Sequence, residues 1–266
     1  MPKRSISSSA LVWQAAITLA LLAGWQAAAI IWPAPYLPRL EMIGQSFLRL
    51  IHGDLLTTAV APSLYRFGIG LSIAVVGGSI IGLVLGYFRD LTPWVRPFLE
   101  FLRFIPPVAI LPASLLLFGA TDAMRIFIIA IGSVFPVILA AMDGARRVEP
   151  LLIDVARVNG LTASQRIFQV LLPASFPSIF AGTRIALSIG LVMMVISELL
   201  AADNGLGFFI LRSQRLFRTA DVYAGVILLG MIGFLLTIGL LALENRLVAW
   251  HRGWRGAADG NSSSAS

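Results

Sequence analysis

Cysteine is absent from this 266-residue chain, histidine occurs only at His52 and His251, and lysine occurs only at Lys3. Without cysteine there is no disulfide framework and no thiolate metal site, and two distant histidines supply no local metal-binding motif. Charge is scarce too: Asp, Glu, Lys and Arg make up 12% of the residues, against 58% hydrophobic ones. With a mean hydropathy of +0.88, most of the chain resembles neither a soluble domain nor a disordered one. The net charge of +7 does not point to nucleic acid, because the arginines are scattered between apolar blocks and form no single basic face.

What the sequence does have is long uncharged runs. A bilayer core about 30 Å thick needs roughly 20 apolar residues of helix, and six segments approach or reach that length: 10–32, 67–88, 104–120, 126–142, 185–202 and 222–243. Outer-membrane strands would alternate in short segments instead. The expectation is an all-α membrane protein with six transmembrane helices, embedded in lipid. The first run follows Lys3 and Arg4 and ends near Ala27, Ala28 and Ala29, as a signal peptide would, but its apolar stretch is too long for a signal core and reads as an uncleaved helix.

An even helix count puts both termini on one side. Lys and Arg in the connections divide twelve to seven in favour of the side holding the termini, which therefore reads as cytoplasmic. The domain reading follows: residues 1–9 are a cytoplasmic N-terminus, 10–255 the membrane unit, and 256–266 (GAADGNSSSAS) a short polar tail expected to be disordered.

The longest connection on the cytoplasmic side, 143–175, is not loop-like. Leu151, Leu152, Val155 and Val158 recur at helical spacing, as do Ile167, Val170 and Leu171, which predicts two short amphipathic helices. Gly160 lies between them, where a left-handed residue stops a helix cheaply, and Pro173 and Pro177 are expected to close the segment and open the next membrane helix.

Asp154-Val155-Ala156, three residues, Gly160, nine residues and Val170-Leu171-Leu172-Pro173 resemble the E-A-A, x3, G, x9, I-x-L-P loop of bacterial ABC importer permeases. The spacing matches throughout; Asp154, Val155 and Val170 depart conservatively. RFIPPVAILPASLLLFG (103–119), FPVI (135–138) and SELLAADNGLGFFI (197–210) are similar to the nitrate, sulfonate and taurine subgroup, so the resemblance covers roughly residues 54–245. It implies a type I permease fold with a cytoplasmic coupling-helix loop, in the inner membrane of a bacterium. It also implies a permease homodimer on cytoplasmic ABC ATPase subunits, an extracytoplasmic solute-binding protein, and a small anion such as a sulfonate, taurine or nitrate as cargo. The ATPase-coupling residues carried over are Asp154, Ala156, Gly160, Val170, Leu172 and Pro173. A phosphate-binding loop needs G-x-x-x-x-G-K-[ST], which a chain whose one lysine is Lys3 cannot supply. The chain is therefore expected to be non-catalytic and to bind no cofactor or metal of its own, ATP being held by the partner.

Four residues are candidates for the solute path or its gate: Glu198 and Arg184, near the two edges of the fifth apolar run, and Pro106 and Pro107, which interrupt the third. Glu198 forms an outer gate or snorkels to water; Arg184 anchors the cytoplasmic end or attracts an anion. Gly78, Gly82 and Gly86 form overlapping G-x-x-x-G units, which serve packing within the chain or a dimer seam. Arg212, Arg215 and Arg218, interleaved with Phe208, Phe209 and Phe217, suit a helix lying in the outer interface or a docking surface for an acidic patch. A secondary transporter would more often show two related halves, and a membrane-embedded enzyme a cluster of catalytic groups; neither is evident. The charge count predicts that reporter fusions at Gly144 and after Gly256 read as cytoplasmic and one after Asn204 as external; an external reading at Gly144 overturns the six-helix topology.

Overall fold

A computed structural model describes residues 8–247, within which every regular element is helical. The expectations for residues 1–7 and for the tail 256–266 lie outside the described residues. In chain order the helices are α1 (Ser8–Ile31), α2 (Leu40–His52), α3 (Ala61–Tyr87), α4 (Thr92–Phe104), α5 (Leu111–Phe118), α6 (Asp122–Arg146), α7 (Pro150–Val158), α8 (Ala163–Gln165), α9 (Leu172–Ala201), α10 (Leu206–Arg215) and α11 (Thr219–Leu247). Two π-helical stretches, Leu56–Val60 and Arg166–Leu171, extend α3 and α9 backwards, giving continuous helices Leu56–Tyr87 and Ala163–Ala201.

Among the described residues five helices are long and apolar enough to cross a membrane: Val12–Ile31, Leu56–Tyr87, Asp122–Arg146, Ala163–Ala201 and Thr219–Leu247. The third expected span departs from a continuous helix. Pro106 and Pro107 have no N–H to continue a ladder, and Ile105 and Pro106 are extended, with ψ of 116° and 124°. The chain therefore bends by 77° between Thr92–Phe104 and Pro107–Phe118, and the sixth crossing is this bent pair or none.

Pro173 and Pro177 do not separate the connection from the fifth span, because one helix runs through both. A proline inside an α-helix clashes with the carbonyl four residues back. Pro62 and Pro173 each follow a π-helical stretch, whose wider turn relieves that crowding, so the helix continues where the sequence predicts a boundary.

The core is α6, held between α3 and α9. Phe67 on α3, Met124, Ile128 and Ile129 on α6, and Leu187, Met193 and Met194 on α9 make one buried cluster, which α5 closes through Leu111. Backbones approach closely because glycines stand at the crossings. A Cβ on Gly82 would lie 2.4 Å from the carbonyl oxygen of Ile138 and 2.7 Å from Ala141 Cβ, and Gly78 and Gly86 face Val137 and Ala145 in the same way. The G-x-x-x-G series thus packs α3 on α6 within the chain. On the other side Gly182 meets Ala140 and the carbonyl of Pro136. In contrast α1 buries little of its surface and touches the rest near its end, where Trp25 stacks edge-on against Tyr223 of α11 and donates from Nε1 to the carbonyl of Pro38.

Gly82→Ala should cost about 1–3 kcal/mol through overpacking against α6. Gly77→Ala, where a Cβ meets nothing within 4 Å, should be neutral or slightly stabilising. Unfolding midpoints of both variants in detergent check this; equal effects would contradict the assignment of Gly82 to the α3/α6 crossing.

Candidate functional site

Polar structure concentrates at the two ends of the α3/α6/α9 core. At one end, where α3 and α6 begin and α9 finishes, lies a cluster of four charges. Arg66, 2% exposed, donates from Nη1 to Glu198 Oε1 (2.9 Å) and from Nε to Asp122 Oδ1 (2.7 Å), and Nη2 reaches the side chain of Asn204. Arg125, 3% exposed, donates to Asp122 Oδ1 (2.6 Å) and to the carbonyl of Ala201. Two guanidiniums against two carboxylates leave the cluster neutral, with Arg66, Arg125 and Glu198 buried and Asp122 half-exposed at its rim.

The glycines of the turn after α9 complete this cluster. Gly205 has φ +106°, and a Cβ on it would fall 2.5 Å from the Glu198 carboxyl, so the chain can fold over the carboxylate only without a side chain there. Gly207 then donates its N–H to Glu198 Oε2 (2.9 Å), and Ser63 donates to the same carboxylate at 2.8 Å while accepting from the N–H of Leu206 (2.8 Å). Glu198, fully buried, joins α9 to α3 and α10, Arg66 carries the link on to Asp122 of α6, and the carboxylate does not snorkel to water. Arg184 is half-exposed and pairs with Glu244 of α11 (2.5 Å).

Arg66, Asp122 and Arg125 were invisible as a set to sequence reading, which assigned the two arginines to connections. One signal was available: each stands at the edge of an apolar run, and so does Glu198.

At the opposite end α7 rests on a turn of fixed geometry. Gly160 has φ +78°; its N–H donates to the carbonyl of Arg157 (3.0 Å), and the N–H of Leu161 to that of Ala156 (3.1 Å). This paired pattern is a Schellman stop. One residue later Thr162 and Gln165 form a reciprocal capping box that starts α8. Ala156 is buried beneath α7, whereas Leu151, Leu152, Val155 and Val158 stand 50–88% exposed. Asp154 is exposed and paired only with Arg157, at 3.3 Å. Val170, Leu172 and Pro173 lie on the continuous helix, half-buried, beside Ile167 and Leu171, which pack on Leu83, Ala141 and Ala145. The six coupling candidates therefore split: three form the projecting helix and its stop, and three lie on the continuous helix, where Leu172 joins Ile167 and Leu171 in anchoring that turn to the core. Arg89, at the end of α3, donates to the carbonyls of Arg146 and Val148 and ties the start of the projection down.

Along the same wall a cavity of about 690 Å³ opens between the bent pair, α6 and α9, with Arg103, Pro107, Gly132, Pro136, Asp143 and Gly182 in its lining. Pro107 lines it; Pro106, Arg184 and Glu198 do not.

Residues 74–251 match the family model described as "Binding-protein-dependent transport system inner membrane component". The chain is 34% identical over 192 residues to the taurine transport system permease protein of Escherichia coli (strain K12), covering 72% of this chain and 70% of that one. It is 33% identical over 193 residues to the bicarbonate transport system permease protein of Synechococcus elongatus, covering 72% and 66%. A Bacillus subtilis (strain 168) permease protein named for aliphatic sulfonates transport is 32% identical over 223 residues, covering 84% and 81%. In fold the chain is similar to one from a methionine ABC transporter solved in inward-facing conformations, with a TM-score of 0.62 at 18% identity, over 73% of this chain and 96% of that one.

Removing one partner from a buried ion pair strands the other, so Glu198→Ala should destabilise by about 3–5 kcal/mol. Arg184→Ala removes a half-exposed pair and should cost under about 1 kcal/mol. Denaturant titrations of both variants in micelles compare them; similar costs would show that the Glu198 cluster is no more than a surface pair.

Proposed function

Because the chain belongs to the family of binding-protein-dependent transport system inner membrane components, it is the non-catalytic permease subunit of an ABC importer, and we propose that α7 with its Gly160 turn is the element that couples it to a separate ATPase. The observation that carries this reading is the exposed apolar face of α7, set on a turn whose backbone is fixed at both sides. An apolar patch held rigidly outside the membrane core calls for a partner surface. A cleft in a cytoplasmic ATPase subunit fits it, and motion of α7 would reach α6 through Arg147 and Val148 and α9 through the continuous helix.

Two copies of the chain would place their 690 Å³ cavities against one another, forming the solute path between them in the inner membrane of a bacterium, with an extracytoplasmic binding protein delivering cargo on the side of the Glu198 cluster. Orientation with both termini in the cytoplasm gains support from the cluster itself. Arg66 and Arg125 are neutralised inside the protein, and without them the far-side count falls from seven to five. The cargo we assign is a small solute with an anionic head group, which the taurine, sulfonate and bicarbonate named in the relatives share.

Gly160→Val tests the coupling. A Cβ there meets nothing within 4 Å, so the substitution acts only through the backbone, where a β-branched residue at φ +78° is strongly disfavoured. The variant should insert and accumulate normally yet lose assembly with the ATPase, or hydrolyse ATP without driving uptake. Ser164→Ala, on the exposed side of α8, is the control and should behave like the parent. Uptake and hydrolysis are measured together in reconstituted vesicles; parental values for Gly160→Val would refute the coupling role.

A further inference from the structure

Two charged residues stand in the lining of the 690 Å³ cavity between the bent pair, α6 and α9: Arg103 and Asp143. Asp143 is already answered, because its Oδ1 accepts from Arg96 Nη1 at 2.9 Å. Glu100, the other carboxylate that Arg96 holds, lies outside the lining. Arg103 has no such answer. Among the described residues its guanidinium pairs with no carboxylate, and its Cζ lies 5.7 Å from the centroid of the Phe104 ring. Its place in the last turn of α4 suits any cation, since a helix C-terminus is the negative end of the dipole. The dipole does not account for an unpaired cation in the wall of a cavity.

The position of the cavity gives that charge a use. Along α6 the lining runs from Gly132, near the middle of the helix, to Asp143 in its last turn, roughly 16 Å at 1.5 Å per residue. Half a bilayer core is about 15 Å, so the cavity occupies the α7 half of the bundle to the depth of one leaflet. Phe135, Leu139, Ile185 and Ile189 make its walls largely apolar. Between such walls a charge is screened less than in water, so an unpaired guanidinium draws anions in and turns cations away. Its planar fork of donors also matches a group that presents two oxygens together.

We propose that Arg103 is the anion-selecting residue of this cavity, its guanidinium contacting the oxyanion head group of the solute. This rests on the reading of the cavity as a solute path and adds the residue that gives the path its sign. Arg103 stands directly before the 77° bend, so the break that Pro106 and Pro107 force in the third span ends α4 at the cavity and sets the charge there.

The chain has no cysteine, so Ala181→Cys, at an exposed position in the lining, gives the cavity a single thiol. In the full chain in neutral detergent that thiol is modified with two methanethiosulfonate reagents of similar size, one ending in a sulfonate and one in a quaternary ammonium. Each rate is taken relative to the same reagent with 2-mercaptoethanol. The sulfonate reagent should be favoured, and ethanesulfonate should slow the reaction. Adding Arg103→Gln should lower the anion-to-cation rate ratio by about tenfold, the loss of one charge-assisted contact, whereas Arg103→Lys should keep most of it. A damaged fold would shift both reagents alike; loss of the charge moves them apart. An unchanged ratio in Arg103→Gln overturns the proposal, and so does a preference for the cationic reagent in the parent. Uptake by the complete complex in vesicles tests the underlying reading separately. If none of taurine, ethanesulfonate and bicarbonate accumulates although the Arg103-dependent preference holds, the cargo reading fails and the anion contact stands.

Discussion

Close approach of α6 to both of its neighbours is the constraint from which the rest of the architecture follows. In lipid, apolar side chains gain nothing by leaving the surrounding hydrocarbon, so association rests on van der Waals contact and on polar groups that find partners inside the protein. Gly82 and Gly182 let α3 and α9 reach the α6 backbone from opposite sides, and the side chains of Ile128, Met142 and Met194 fill what remains. Helices outside this triplet are less committed: α1 and α11 keep most of their surface for lipid or for other subunits.

The triplet has different chemistry at its two ends. Glu198 and Arg66 together tie α9, α3 and, through Asp122, α6 into a neutral knot roofed by the α9–α10 turn, and breaking the Arg66–Glu198 pair leaves a charge in a poor solvent. The other end has no comparable tie across the three helices. There α6 and α9 are linked by α7, which is held by backbone hydrogen bonds, by Ile153 and buried Ala156 packing against the bundle, and by Arg89 laid over two carbonyls. The bundle is thus tied by buried charge at one end and by a fixed turn and apolar packing at the other.

Sequence legibility tracked how local the determining interaction was. The left-handed Gly160 and the amphipathic α7 depend on residues a few positions apart, and the chain displays them directly; Gly78, Gly82 and Gly86 signal a close approach, but their partners Val137, Ile138 and Ala145 lie on α6, so the sequence left packing and a dimer seam open. The charge cluster depends on Arg66, Asp122 and Glu198 meeting across three helices, so counting charges by loop assigned Arg66 and Arg125 to connections, whereas both side chains are buried in the protein. Prolines guided the reading unevenly. Pro106-Pro107 interrupt the third run as their chemistry suggests, while Pro173 left intact a helix that proline rules divide, because the π-helical turn before it supplied the missing room.

The turn at Gly160 also sets which kinds of change this loop can absorb over evolutionary time. A helix stop and a helix start stand back to back, with Leu161 alone between Gly160 and Thr162. Adding or deleting one residue in α7 would swing its apolar face by about 100° relative to that stop. Exchanging one side chain for another of similar size leaves the phase untouched. The loop is thus tolerant of spelling and intolerant of length, which is how Asp154, Val155 and Val170 can differ from the E-A-A pattern while every interval within it is kept.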